Sequence, residues 1–157
     1  MAFTPPFTID GADFNAPRAD REAVAKVLPH RGAFAQLDAV IAWDEDFTRS
    51  IGTRFIRDDE FWIDGHFPDR PLFPGVLMIE TAAQLCAFTN KMSREDDPLF
   101  GFVRCDECAF RGQVVPGDTI HFYAMLVSSN RRRFVSRVQA FVNERLVMEA
   151  TVTGMTL

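Results

Sequence analysis

Pro74 to Met92 reads PGVLMIETAAQLCAFTNKM. Pro and Gly at its start suit the entry to a helix, and no further Gly or Pro interrupts it. Its side chains are apolar on nearly every face, and a helix of that kind must be buried. The chain after it is strand-like: LFGFVRCDECAF (99–110), TIHFYAMLVSSN (119–130), RFVSRVQAFVN (133–143) and RLVMEATVTGM (145–155). Turn chemistry separates these runs: PGD at 116–118, SSNRRR at 128–133 and NER at 143–145. Phe134, Val135, Val138, Ala140 and Val142 give a partial period of two. One buried helix followed by such a run predicts an α+β fold, a curved antiparallel sheet wrapped around a long central helix. A sheet of that shape leaves an edge strand open to a second copy of the chain.

Before the long helix, DREAVAKVL (20–28) predicts a short helix with Asp20 as N-cap, Val24, Val27 and Leu28 on one face, and Pro29 as its stop. AQLDAVIAWDE (35–45), TRSIGTRFI (48–56) and EFWI (60–63) read as strands, and DGHFPDRPLFPG (64–75) as a turn-rich connection. Residues 1–18 hold three of the nine prolines and little periodicity. The expected organisation is an N-terminal extension over 1–19, packed on the surface or partly disordered, and a single domain over 20–157.

Composition narrows the function classes. The chain has 157 residues, 47% of them hydrophobic, with sixteen Phe, and a net charge of −5. That suits a folded domain with a sizeable apolar interior and does not suggest a nucleic-acid partner. Arg131–Arg133 reads as a hairpin tip. Cys86, Cys105 and Cys108 make no disulfide framework, and Cys105-x-x-Cys108 lacks a second ligand pair for zinc. The N-terminus has neither a basic leader region nor a long apolar one, and no uncharged stretch is long enough to span a bilayer. A soluble cytoplasmic protein is expected.

The chemistry concentrates in GHFPDRPLFPGVLMIETAAQL, Gly65 to Leu85. Glu80 is the lone carboxylate in an apolar run, a little over one turn into the helix. Burial without a partner would make it hold its proton more tightly than an exposed acid, which suits acid–base work near neutrality. Gln84, at i+4, lies on the same face and can orient it. His66 sits in the Pro-rich loop just upstream, with an imidazole suited to general-base chemistry. At Pro74–Gly75 the first helical N–H groups lack internal partners and can stabilise an oxyanion, and Gly75 lets a ligand approach closely. Base, acid and oxyanion donor in one segment suggest proton abstraction beside a carbonyl.

LPHRGAF (28–34), GHFPDRPLFPGVLMIETAAQ (65–84) and FRGQVVPGD (110–118) together closely resemble the 3-hydroxyacyl-[acyl-carrier-protein] dehydratases of FabZ type, over roughly residues 20 to 155. The resemblance implies a hotdog fold and a homodimer formed edge to edge, with further assembly into a hexamer, a trimer of dimers. It implies a site shared between subunits, His66 from one and Glu80 from the other, with Gly75, Val76, Phe73 and Gln84 as oxyanion or substrate-binding residues. The implied reaction converts a (3R)-3-hydroxyacyl thioester of acyl carrier protein to the trans-2-enoyl thioester in fatty-acid or related acyl-chain synthesis. No metal or redox cofactor is implied. Glu rather than Asp at position 80 resembles the general dehydratase, not the type that also isomerises.

The chain departs from the family pattern in several places. Gly32, Ala33, Ala35 and Ala39 replace larger or charged residues, Phe73 a common Met, and Ala109 and Gly112 basic residues. These bear on gating, on the acyl tunnel and on carrier docking. Two alternatives stay open: a hotdog thioesterase using Glu80 to activate water, and a non-catalytic acyl-binding subunit.

Overall fold

In the computed structural model, which describes residues 3–157, six strands form one antiparallel sheet: β1 (Ala39–Trp43), β2 (Arg49–Phe55), β3 (Phe100–Phe110), β4 (Thr119–Ser129), β5 (Arg133–Val142) and β6 (Arg145–Thr156), in the order β1-β2-β4-β5-β6-β3. Two α-helices, α1 (Arg21–Val27) and α2 (Gly75–Met92), and a 3-10 turn, Gly32–Phe34, complete it. Asp20 caps α1 by accepting from the Ala23 N–H at 2.9 Å.

Helix α2 lies against β6, β2 and β4. From Thr81 to Asn90 every residue is buried, as its all-round apolarity requires. Three polar members of that stretch bond back to carbonyls one turn earlier in the helix. Thr81 Oγ1 donates to Leu77 O, Thr89 Oγ1 to Leu85 O, and Asn90 Nδ2 to Cys86 O. Along β5 the alternation is clean, with Phe134, Ser136, Val138, Ala140 and Val142 buried. The first turn of α2 differs: Val76 is 70% exposed.

The expected strand EFWI at 60–63 is not one. These residues form successive turns, because Glu60 serves as a local organiser. Its carboxylate accepts from the Arg57 N–H at 2.9 Å and from Trp62 Nε1 at 3.0 Å, and it pairs with the buried Arg54 guanidinium. Burial of Trp62 against Phe73, ring centroids 5.5 Å apart, fixes the same bend.

The two sheet edges differ. β1 is met by the N-terminal segment: Ala19 N donates to Val40 O at 3.0 Å and Val40 N to Ala19 O at 2.8 Å. That segment continues across the outer face of the sheet, with Phe3 on Phe141, Phe7 on Tyr123 and Phe14 on His121 at centroid distances of 5.1, 5.4 and 4.8 Å. Met1 and Ala2, the first residues of the expected extension, lie outside the described residues. At the other edge β3 is, among the described residues, bonded only to β6, and it exposes Phe102, Val103 and Phe110.

Candidate active site

His66 is positioned by the loop between the turns at 57–63 and α2. Its N–H donates to Trp62 O at 2.9 Å and its carbonyl accepts from Leu72 N at 2.8 Å, while Phe67 and Arg70 exchange backbone bonds across the tip. The imidazole Nδ1 lies 2.8 Å from Leu72 O. A carbonyl can only accept, so Nδ1 carries the proton and donates, and the neutral ring keeps its basic lone pair on Nε2. The ring stacks on Phe67 at 4.2 Å between centroids.

Glu80 is set one turn into α2 with its side chain 19% exposed. Gln84, one turn further, donates from Nε2 to Glu80 Oε1 at 2.8 Å, the contact expected from i+4 spacing. Gln84 is fully engaged: Nε2 also donates to Phe34 O at 2.7 Å, and Oε1 accepts from the buried N–H groups of Gln36 and Leu37 at 3.0 and 3.1 Å. One amide thus ties the central helix to the turn after α1 and orients the acid. Glu80 and Gln84 line a cavity of about 130 Å³ closed by Phe100, Phe102 and Phe134.

Gly75 opens α2 after Pro74. The first helical donors to Pro74 O are Leu77 and Met78, at 3.0 and 3.3 Å, so the N–H groups of Gly75 and Val76 precede the helical ladder. A Cβ on Gly75 would meet the Phe110 ring at 2.6 to 2.9 Å, so glycine is what lets this ring cover the helix entrance.

His66 and Glu80 make no contact with each other within the chain, and His66 does not line the cavity that holds Glu80. Phe73 is 3% exposed, packed between Trp62 and the Arg54 guanidinium, with its N–H on Val114 O at 2.8 Å. Its ring belongs to the main core and does not line the Glu80 cavity.

His30 also stands at the site, although no acid–base pattern in the sequence singles it out. Its Nε2 lies 3.5 Å from Glu80 Oε1, and it lines the same cavity. Burial pushes its pKa down from the ordinary imidazole value; Glu80 opposes that shift and Arg31 adds to it. His30 sits inside LPHRGAF, and neither spacing nor periodicity relates it to a residue fifty positions on.

Two of the departures have a physical account. A Cβ on Gly112 would meet Arg145 Nη1 at 2.6 Å, so the Arg145 guanidinium passes over this glycine and donates to Gln113 O at 2.9 Å. A cation thus returns to that surface from β6. Gly32 has φ +59°, the left-handed region that glycine adopts without strain. Two of the three thiols are poor nucleophiles: burial pushes Cys86 up to about 12 and Cys105 up to about 11.

The model of the FabA-like domain family matches residues 28–151. A 3-hydroxyacyl-[acyl-carrier-protein] dehydratase FabZ of Rhodopseudomonas palustris strain BisB18 is 35% identical over 153 residues, 96% of each chain. The FabZ of Neisseria meningitidis serogroup C is 36% identical over 133 residues, covering 82% of this chain and 88% of that one. Among solved structures, the dehydratase heterocomplex ApeI:P from Xenorhabdus doucetiae aligns with TM-score 0.73 at 14% identity, over 85% of this chain and 90% of that one. A hypothetical thioesterase with coenzyme A from Streptococcus pneumoniae aligns at 0.62 and 12% identity, over 87% and 95%. These structural likenesses establish the hotdog fold, which serves several chemistries, while the sequence matches settle the family. The chain belongs to the FabA-like family and, within it, to the FabZ-type 3-hydroxyacyl-[acyl-carrier-protein] dehydratases.

Proposed function

We propose that the protein is a hydro-lyase that dehydrates (3R)-3-hydroxyacyl-acyl-carrier-protein to the trans-2-enoyl thioester in fatty-acid or related acyl-chain synthesis. The observation that carries the reading is the His66 ring, whose Nδ1 is committed to Leu72 O so that Nε2 is left as the base. Nε2 takes the C2 proton, and the electron pair moves toward the thioester oxygen, where the Gly75 N–H, aided by the helix dipole, receives the developing charge. Glu80 gives a proton to the 3-hydroxyl, the C3–O bond breaks, and water leaves. The thioester itself makes the C2 proton acidic enough for this route.

The active unit in this reading is a homodimer. β1 is met by the chain's own N-terminal segment, whereas β3 has an unpaired edge carrying Phe102 and Val103, so β3 is where a second copy adds. Pairing there supplies His66 of one subunit to Glu80 of the other, which fits their separation within one chain. Trimerisation of dimers to a hexamer extends the same proposal, as does a cytoplasmic setting with acyl carrier protein as the partner. Residues 20–157 then form the catalytic domain and 1–19 its extension, of which the described part, 3–19, straps the sheet.

Turnover of (3R)-3-hydroxyacyl thioesters of several lengths, on carrier protein and on coenzyme A, tests the reading through the absorbance of the conjugated product. Enoyl product with the carrier substrate preferred is expected. Free acid instead of enoyl thioester makes the protein a thioesterase, and no product on any thioester makes it a binding subunit.

Gly75→Ala probes the oxyanion donor. The added methyl collides with Phe110, a half-exposed ring that can turn aside. Folding should therefore survive, while crowding beside the Gly75 N–H lowers kcat about 10- to 100-fold. A parent-like kcat in a well-folded variant contradicts the role.

A further inference from the structure

Both donors near Glu80 reach the same oxygen. Gln84 Nε2 lies 2.8 Å from Oε1 and His30 Nε2 lies 3.5 Å from it, while no described residue donates to Oε2. We infer that His30 is a positioning residue for Glu80, acting with Gln84 to hold Oε1 so that the transferable proton resides on Oε2. The inference rests on the dehydratase reading and adds to it a third residue and an assignment of the proton to one oxygen.

The tautomer follows from burial. His30 Nδ1 is buried and has no hydrogen-bond partner among the described residues. A buried N–H without an acceptor is the costlier orphan, so the neutral ring keeps Nδ1 bare and carries its proton on Nε2, facing Glu80. That N–H faces Oε1 at 3.5 Å and, in the proposed working complex, closes on it as a donor.

The chain around His30 is built to hold it there. Pro29 ends α1, and Arg31 Nη1 donates back to Leu28 O at 2.7 Å and His30 O at 2.8 Å, closing the bend. The turn that follows presents Phe34 O to Gln84 Nε2. The end of α1 and the first turns of α2 are thus clamped around one carboxylate. The charged groups facing His30 are Glu80 from α2 and Arg31 beside it in the chain. Arg21 of α1 lines the adjoining cavity of about 240 Å³ but is paired with Asp38.

Two amide variants separate positioning from packing. Gln at position 30 places its amide nitrogen near the site of imidazole Nε2, and Asn places its own near Nδ1. His30→Gln should keep kcat within about threefold and both limbs of the pH profile. His30→Asn should lower kcat about tenfold with KM little changed. Equal kcat values for the two variants, or a KM that moves as far as kcat, overturn the inference.

The titration of His30 followed by NMR gives a readout that needs no turnover, with only three histidines to assign. In Glu80→Gln the His30 midpoint should fall below that of the parent, since the carboxylate that raises it is gone; an unchanged midpoint overturns the contact. A parent without dehydratase turnover defeats the proposed function, and the titration then decides the His30–Glu80 contact by itself.

Discussion

Glu80→Gln and His66→Ala each lower kcat by about 10²- to 10⁴-fold while leaving the fold intact. The amide at position 80 is isosteric and can still accept from Gln84 Nε2, so the clamp at Oε1 survives. What disappears is the proton delivered to the leaving hydroxyl. At position 66 the loop is held chiefly by backbone bonds, Trp62 O to the His66 N–H and the His66 carbonyl to Leu72 N, which alanine retains. What disappears there is Nε2. Turnover of the hydroxyacyl thioester with circular dichroism on the same samples checks both. Either variant within tenfold of the parent, at unchanged folding, removes that residue from the proposed chemistry.

Gln84→Leu should damage stability and turnover together. Leucine fills a similar volume but returns none of the four hydrogen bonds. The N–H groups of Gln36 and Leu37, both buried, lose their acceptor, and Phe34 O and Glu80 lose a donor. Each buried group left unsatisfied costs about 1–3 kcal/mol, so the variant should lose about 3–5 kcal/mol. For a chain of this size that is a fall in Tm of about 10 °C or more. Because Glu80 is then held only by the longer contact to His30, kcat should fall as well, by about tenfold or more. Chemical denaturation alongside turnover measures both effects. A loss below about 1 kcal/mol would mean that water or a shifted backbone satisfies those groups without Gln84.

Much of the architecture was legible because hydrophobic pattern and turn chemistry agreed. The all-apolar run after Pro74–Gly75 could only be a buried helix, and the four later strands were bounded by PGD, SSN and NER turns at nearly the observed positions. The short helix was readable from Asp20 and Pro29. EFWI misled because aromatic and β-branched content mimics a strand, while the deciding force, Glu60 gathering Arg54, Arg57 and Trp62, is a side-chain network that periodicity does not encode. The N-terminal segment was ambiguous for the same reason: its Phe residues find Tyr123, Phe141 and His121 on strands over a hundred residues away.

In the site, local spacing carried what local geometry could carry. Gln84 meets Glu80 because four residues make one helical turn. The exposed start of α2 and the position of Gly75 follow from Pro74. His30 was beyond that reach, since its meeting with Glu80 depends on how the end of α1 packs across α2. Phe73 stands out from its place in the motif, whereas its packing against the buried Arg54 and Trp62 depends on contacts the motif does not encode.

The central claim is a site built from two chains, and mixed dimers test it most directly. His66→Ala and Glu80→Gln subunits, each nearly inactive alone, are unfolded together, refolded and assayed. Half-sites from different chains should give heterodimers with one intact pair, His66 from the Glu80→Gln chain and Glu80 from the His66→Ala chain. With random assortment about a quarter of all sites are restored, so activity should rise to about a quarter of the parent's. A mixture no more active than the two variants separately, with heterodimers demonstrably present, would contradict the shared site.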